Sequence, residues 1–198
     1  MIEAIRHNLS SLTNFSGRDS RSTFWFYVLF LAIIQLVTTF GVSIVAGGAM
    51  AVDVFQSARG GADQAAIQQQ MIERMAGLIQ LTMWMSVVLS IVMTLLLAAA
   101  FARRLHDSGN SGWIAALAVV LQLLSIVLTI GMIGEMVSFI TSMKLNDPSA
   151  MQAAAQMQRS KYALQGLLGW VPLLIVIIFG VWPSSDGDNR YGPEPDHL

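Results

Sequence analysis

The sequence predicts an all-α polytopic membrane protein, a bundle of four transmembrane helices forming one membrane domain over residues 1–198. Three observations predict it. Hydrophobic residues make up 55% of the chain and charged residues 12%, whereas an ordinary soluble domain carries about 25% charged residues. Four stretches of 21 residues or more contain no Asp, Glu, His, Lys or Arg, and roughly 20 apolar residues of helix cross a bilayer core about 30 Å thick. The stretches are continuously apolar, whereas a membrane barrel shows alternating segments of about ten residues.

The charge balance excludes two other classes. Eleven Lys+Arg against twelve Asp+Glu leave a net charge of −1, so the chain is neither a basic nucleic-acid binder nor an acidic disordered segment. The absence of cysteine removes disulfides, a thiol nucleophile and Cys-ligated metals.

The polar lead Met1–Thr23 carries Ile2, Ile5, Leu9 and Leu12 at i, i+3, i+7 and i+10, which predicts a short helix lying in the membrane interface. The first span is Phe24–Ala46, 23 residues, too long for the roughly 7–15-residue core of a signal peptide. Gly47–Arg74 reads as a loop. Within it Ile67, Met71 and Met75 fall at i, i+4 and i+8, an amphipathic helix running into span two. That span lies within Met75–Ala102, about residues 77–102. Arg103–Ser111 is a nine-residue loop with a turn at Asp107-Ser108-Gly109-Asn110. Ser111 is placed to cap the third span, Gly112–Gly134. Glu135–Lys161 is a second long loop, in which Asn146-Asp147-Pro148 predicts the start of a helix over Ser149–Ser160. The fourth span is Tyr162–Trp182, followed by the tail Pro183–Leu198.

Four spans place the lead, the nine-residue loop and the tail on one side. Lys and Arg divide six against five between the sides, which decides little. Arg18 and Arg21 precede the first span with no basic residue close after it, which favours cytoplasmic termini. An ungapped shift of 88 residues places Asp19-Ser20 on Asp107-Ser108, Trp25 on Trp113, Leu29 on Leu117 and Ala62 on Ala150. It also places Gln64-Ala65-Ala66 on Gln152-Ala153-Ala154 and Gln68 and Gln70 on Gln156 and Gln158. The pattern predicts a two-fold internal repeat of helical hairpins entering from the same side.

Polar residues inside the spans form stripes: Gln35, Thr39, Ser43 in span one; Thr82, Ser86, Ser90, Thr94, then Ala98 and Ala102 in span two; Ala115, Ala118, Gln122, Ser125, Thr129 in span three. Small residues at this spacing allow close helix approach. Gln35 and Gln122 each fall about 15 Å past the span start at 1.5 Å per residue. Ionisable residues, the usual parts of proton relays, are absent from the spans.

Three polar segments share the side expected to be cytoplasmic: Asn14–Ser22, Arg103–Trp113 and Trp182–Pro193. Arg103 and Arg104 fit an anchoring role, snorkelling to lipid phosphate at a helix C-terminus. They equally fit ion pairs with Asp19, Asp107, Asp186 or Asp188. Trp25 and Trp113 fit the interfacial aromatic belt. His106 beside Asp107 is the nearest approach to a catalytic pair, with no nucleophile beside it. No two His stand at metal-ligand spacing, and Asp186-Gly187-Asp188-Asn189 lacks the distal Glu of a calcium loop.

The segments NFSGRDSRSTFWF, ARRLHDSGNSGW and DGDNRYGPEP, in this order with apolar spans between them, resemble the bacterial inner-membrane family named domain of unknown function 805. The resemblance runs from about residue 12 to residue 195. It implies a small multi-spanning inner-membrane protein and implies no enzyme, substrate or cofactor.

The expectation is therefore a non-catalytic scaffold or accessory protein without cofactor or metal. Its binding face would comprise Arg18, Asp19, Arg21, Arg103, Arg104, His106, Asp107, Trp113, Asp186, Asp188, Arg190 and Tyr191. Its partners would be membrane lipids and a protein partner or a second copy, with no nucleic acid. The alternative is a small-solute channel or transporter lined by the Gln/Ser/Thr stripes, with Gln35 and Gln122 at its centre.

Overall fold

The computed structural model describes residues 1–59, 63–142 and 148–195. These residues form five helices and no strand: α1 (Ile2–Ser10), α2 (Arg21–Arg59), α3 (Gln64–Asp107), α4 (Trp113–Ser142) and α5 (Pro148–Val181). Among the described residues, three stretches are long and apolar enough to cross a membrane: Arg21–Asp53, Ile67–Asp107 and Trp113–Ser142. The chain is a membrane protein by that criterion. The predicted fourth span falls in α5, whose described apolar stretch is Gln165–Val181, 17 residues.

The helices run past the predicted spans. α2 does not end at Ala46, and most of the predicted loop Gly47–Arg74 is helical up to Arg59 and again from Gln64. At 1.5 Å per residue, α2 and α3 are about 58 and 66 Å long, roughly twice the hydrocarbon thickness. Hydropathy marks where lipid can lie. A helix continues until its backbone is broken, and Gly47–Arg59 holds no proline. The nine-residue loop shortens for the same reason, because α3 continues through Arg103, Arg104, His106 and Asp107. The turn then follows, with Gly109 at φ +72°, a conformation in which a Cβ is strained. The Ser111 hydroxyl accepts the Trp113 N–H as the predicted cap. Pro148 is the first residue of α5. The cap predicted at Asn146-Asp147 and the repeat position Ala62 lie outside the described residues.

The chain divides into two compact units. One comprises Met1–Gln35, Leu89–Ile126 and Gln165–Leu198. Its core is Phe24, Tyr27, Leu31, Phe101, Leu105 and Val176 with Ala100, Ala102, Ala115 and Ala118. Alanine at these helix faces brings backbones close, as membrane packing favours. At Gly180 the approach is closest: an added Cβ would lie 2.9 Å from a Phe24 ring carbon and 3.0 Å from Trp25. The Trp25 indole N–H donates to the Gly180 carbonyl at 3.1 Å. The Tyr27 hydroxyl donates to the Leu96 carbonyl. Outside this core, Ile33 and Leu29 on α2, Leu95 on α3 and Leu117 on α4 are exposed, the pattern of a lipid-facing surface.

The other unit comprises Leu36–Val88 and Val127–Leu164. Its buried apolar residues include Ala76, Val87, Ile133 and Ile140. Its ion pair Arg74–Asp53, at 3.2 Å, is largely exposed.

Candidate functional site

The polar segments of the first unit converge on a buried network of three arginines and two aspartates. Arg104, Asp107, Asp19, Arg103 and Arg18 are all 8% exposed or less. The α3 C-terminus supplies Arg103, Arg104 and Asp107 within one helical turn and a half, so the three project in different directions.

Arg103 turns toward the N-terminal lead. Its Nε donates to Asp19 Oδ2 at 2.9 Å. Its Nη1 donates to the Ser11 and Asn14 carbonyls, and its Nη2 to Asn8 Oδ1 at 2.7 Å. Ser11 is the residue that ends α1, so this guanidinium satisfies carbonyls where α1 stops. Arg104 turns toward the end of α5. It pairs with Asp107 and donates to the Gly180 and Trp182 carbonyls at the end of α5. Arg18 reaches both remaining segments. Its Nε and Nη2 donate to Asp107 Oδ1 at 3.2 and 3.1 Å. Its other donors reach the Ser185, Gly187 and Gly192 carbonyls at 2.8, 2.7 and 3.3 Å.

The carboxylates are equally engaged. Asp19 also takes His7 Nε2 at 3.0 Å. Asp107 accepts the Ser184 hydroxyl at 2.6 Å, and its carbonyl accepts the Ser185 N–H at 2.8 Å. Among the described residues no buried side-chain nitrogen or oxygen lacks a partner. Three guanidinium charges face two carboxylates. The surplus is met by the ends of α1 and α5, since a helix C-terminus carries about half a negative elementary charge.

The geometry resolves the two readings of Arg103 and Arg104. Both are buried with their donors on protein acceptors, so neither snorkels to lipid. Their acidic partners are Asp19 and Asp107. Asp186 and Asp188 are exposed and enter no ion pair among the described residues; Asp188 instead accepts the Glu194 N–H.

His106 and Asp107, though adjacent, do not meet. His106 Nδ1 lies 3.3 Å from the Gly17 carbonyl, and its ring stacks on Tyr191 at 3.9 Å, only 8° from parallel. Arg190 in turn lies 4.6 Å over the Tyr191 ring, within cation–π range. Trp113, 81% exposed, stands outside the network. Arg21 is also exposed; with Ser22, Trp25, Pro183, Ser184 and Asp186 it lines an open cleft of about 640 Å³. Gln35 and Gln122 line a separate cavity of about 500 Å³ in the same unit.

Sequence reasoning missed Asn8, His7, Ser184, Ser185 and Asn189. Asn189 Nδ2 donates to the His106 carbonyl and to Ser185 Oγ. None shows a periodic signal; only their presence in polar segments of a charge-poor chain marks them.

The buried Arg–Asp network ties together the ends of apolar helices, three of which are long and apolar enough among the described residues to cross a membrane. The chain belongs to the family described as protein of unknown function (DUF805), whose model matches residues 12–193. That match covers the network from Asn14 to Gly192. No curated protein and no solved structure matches the chain.

Proposed function

We propose that this is a non-catalytic accessory protein of the bacterial inner membrane that holds a phospholipid headgroup at the edge of its polar layer. In this reading α5 is a fourth span and both termini are cytoplasmic. The reading is carried by the cleft of Arg21, Ser22, Trp25, Pro183, Ser184 and Asp186. It offers one exposed cation and one exposed carboxylate, neither in an ion pair among the described residues. A zwitterionic headgroup carries the complementary charges. Its phosphate suits the Arg21 guanidinium, and its ammonium suits Asp186. Trp25 adds an aromatic ring of the kind enriched at the interface. Arg103 and Arg104 hold the layer together and are not lipid ligands.

The four spans pair as two hairpins of an internal repeat. The supporting observation is that Asp19 and Asp107, matched by the 88-residue shift, each bind two basic side chains: Arg103 and His7, and Arg18 and Arg104.

Native mass spectrometry of the detergent-purified protein tests the headgroup reading. Wild type should retain phosphatidylethanolamine, and Arg21→Ala or Asp186→Asn should lose it without unfolding. Equal retention by all three would remove the reading. Sidedness is tested by single cysteines read with an impermeant thiol reagent. Ser16 and Asp188 should label only in opened cells, and Gln56 and Gln152 from outside; all four are exposed.

A second reading, a small-solute path, is favoured by one observation: the polar stripes contribute Gln35, Ser90, Thr94 and Gln122 to one cavity. Solute flux in liposomes that falls with Gln122→Leu would support it, and tight vesicles would reject it.

A further inference from the structure

We infer that the cavity of about 500 Å³ among α2, α3, α4 and α5 is a binding site for an uncharged lipid, one with a hydroxyl or carbonyl head and an aliphatic tail. Its size falls within the roughly 300–1,000 Å³ of small-molecule sites. Val28, Met93, Leu97, Phe101, Leu173 and Val176 supply an apolar wall. Gln35, Ser90, Thr94 and Gln122 supply the polar groups, and among the described residues no Asp, Glu, His, Lys or Arg lines the space. A charged head there would stay uncompensated inside the bilayer, so the complementary ligand is neutral.

The polar groups need a partner that the protein does not provide. The Thr94 hydroxyl bonds back to the Ser90 carbonyl at 2.6 Å. The Gln35 and Gln122 amides and the Ser90 hydroxyl make no hydrogen bond to the described protein. Each amide offers two donors and an acceptor. Gln35 lies eleven residues past Phe24 and Gln122 nine past Trp113. At 1.5 Å per residue these are depths of about 16 and 14 Å, near the middle of a bilayer core about 30 Å thick. Polar groups at that depth are costly unless satisfied, and hydrocarbon tails cannot satisfy them. Pro172 on the same wall lacks an N–H, which leaves the Leu168 carbonyl without its usual helical donor. A lipid head with hydroxyl and carbonyl groups matches this set, while its tail matches the apolar wall. The inference is independent of the headgroup cleft, which is lined by other residues and selects for charge.

The test is equilibrium binding to the full chain in detergent with labelled dioctanoylglycerol as probe. Dioctanoylphosphatidylglycerol and free glycerol serve as comparisons. Saturable binding of dioctanoylglycerol is expected, with the phosphate-bearing lipid and glycerol at least about tenfold weaker. Gln35→Leu and Gln122→Leu should each weaken it by up to about tenfold, the scale of one lost hydrogen bond. Leu suits a membrane helix, and unchanged thermal unfolding checks the fold. Ala98→Phe, which fills the cavity and keeps both amides, should abolish binding. Equal binding of the charged lipid would reduce the site to a tail groove. Equal binding of glycerol would make it an aqueous path. Either result, the absence of saturable binding, or indifference to all three substitutions overturns the inference.

Discussion

The same chemical unit, an Arg–Asp pair, occurs in both compact units and does different things in each. In the unit of Leu36–Val88 and Val127–Leu164, Arg74 and Asp53 meet at 3.2 Å with side chains 58% and 31% exposed. Water screens that pair, and exposed pairs contribute about 0–1 kcal/mol. In the unit carrying the polar segments, the side chains of Arg18–Asp107, Arg104–Asp107 and Arg103–Asp19 are 3% exposed or less. There a removed carboxylate leaves guanidinium charges with neither water nor counter-ion. The difference lies in the surroundings of the charges, which decide whether an ion pair is a constraint on the fold or an incidental contact.

The largest effect is expected from Asp107→Asn. It keeps the shape and removes the one carboxylate shared by Arg18 and Arg104. Breaking a buried pair from one side costs about 3–5 kcal/mol. Thermal unfolding in detergent should show the protein much destabilised or unfolded; a variant as stable as wild type would show the network to be dispensable. Arg103→Leu should approach this effect. It should also free the lead, because Arg103 holds Asn8, Ser11 and Asn14. Limited proteolysis should then cut within Met1–Asn14, a site protected in wild type.

Gly180→Ala probes packing rather than charge. The added methyl meets Phe24 at 2.9 Å, and overpacking typically costs about 1–3 kcal/mol. The smallest effect is expected from Arg74→Ala, less than about 1 kcal/mol in the same unfolding assay. A loss equal to that of Arg103→Leu would erase the distinction between the two units.

The contrast also explains what the sequence could and could not convey. Arg18, Asp19, Arg103, Arg104 and Asp107 stood out because charge at the ends of apolar runs is conspicuous in a chain only 12% charged. Their choice of partner was not visible, since Asp186 and Asp188 have the same chemistry as Asp19 and Asp107. Only the fold brings one pair inward and leaves the other in solvent. The helical period of the lead was visible and α1 forms, but it buries Ala4 and Asn8 while Ile2 and Leu9 stay exposed. That orientation suits a helix whose apolar stripe meets lipid. Hydropathy falls at Ala46 and so predicts a loop over Gly47–Arg74, although nothing there ends a helix.

The central claim is that the polar segments are held together by coupled, buried Arg–Asp pairs. A double-mutant cycle on Arg103→Leu and Asp19→Leu, followed by thermal unfolding, tests it most directly. The account predicts that each single change is severe and that the double change costs less than their sum. The coupling should be about 0.5–3 kcal/mol, the range for residues in one hydrogen-bond or salt-bridge network. Strict additivity would contradict the account, because it would mean that Arg103 and Asp19 stabilise the fold independently of each other.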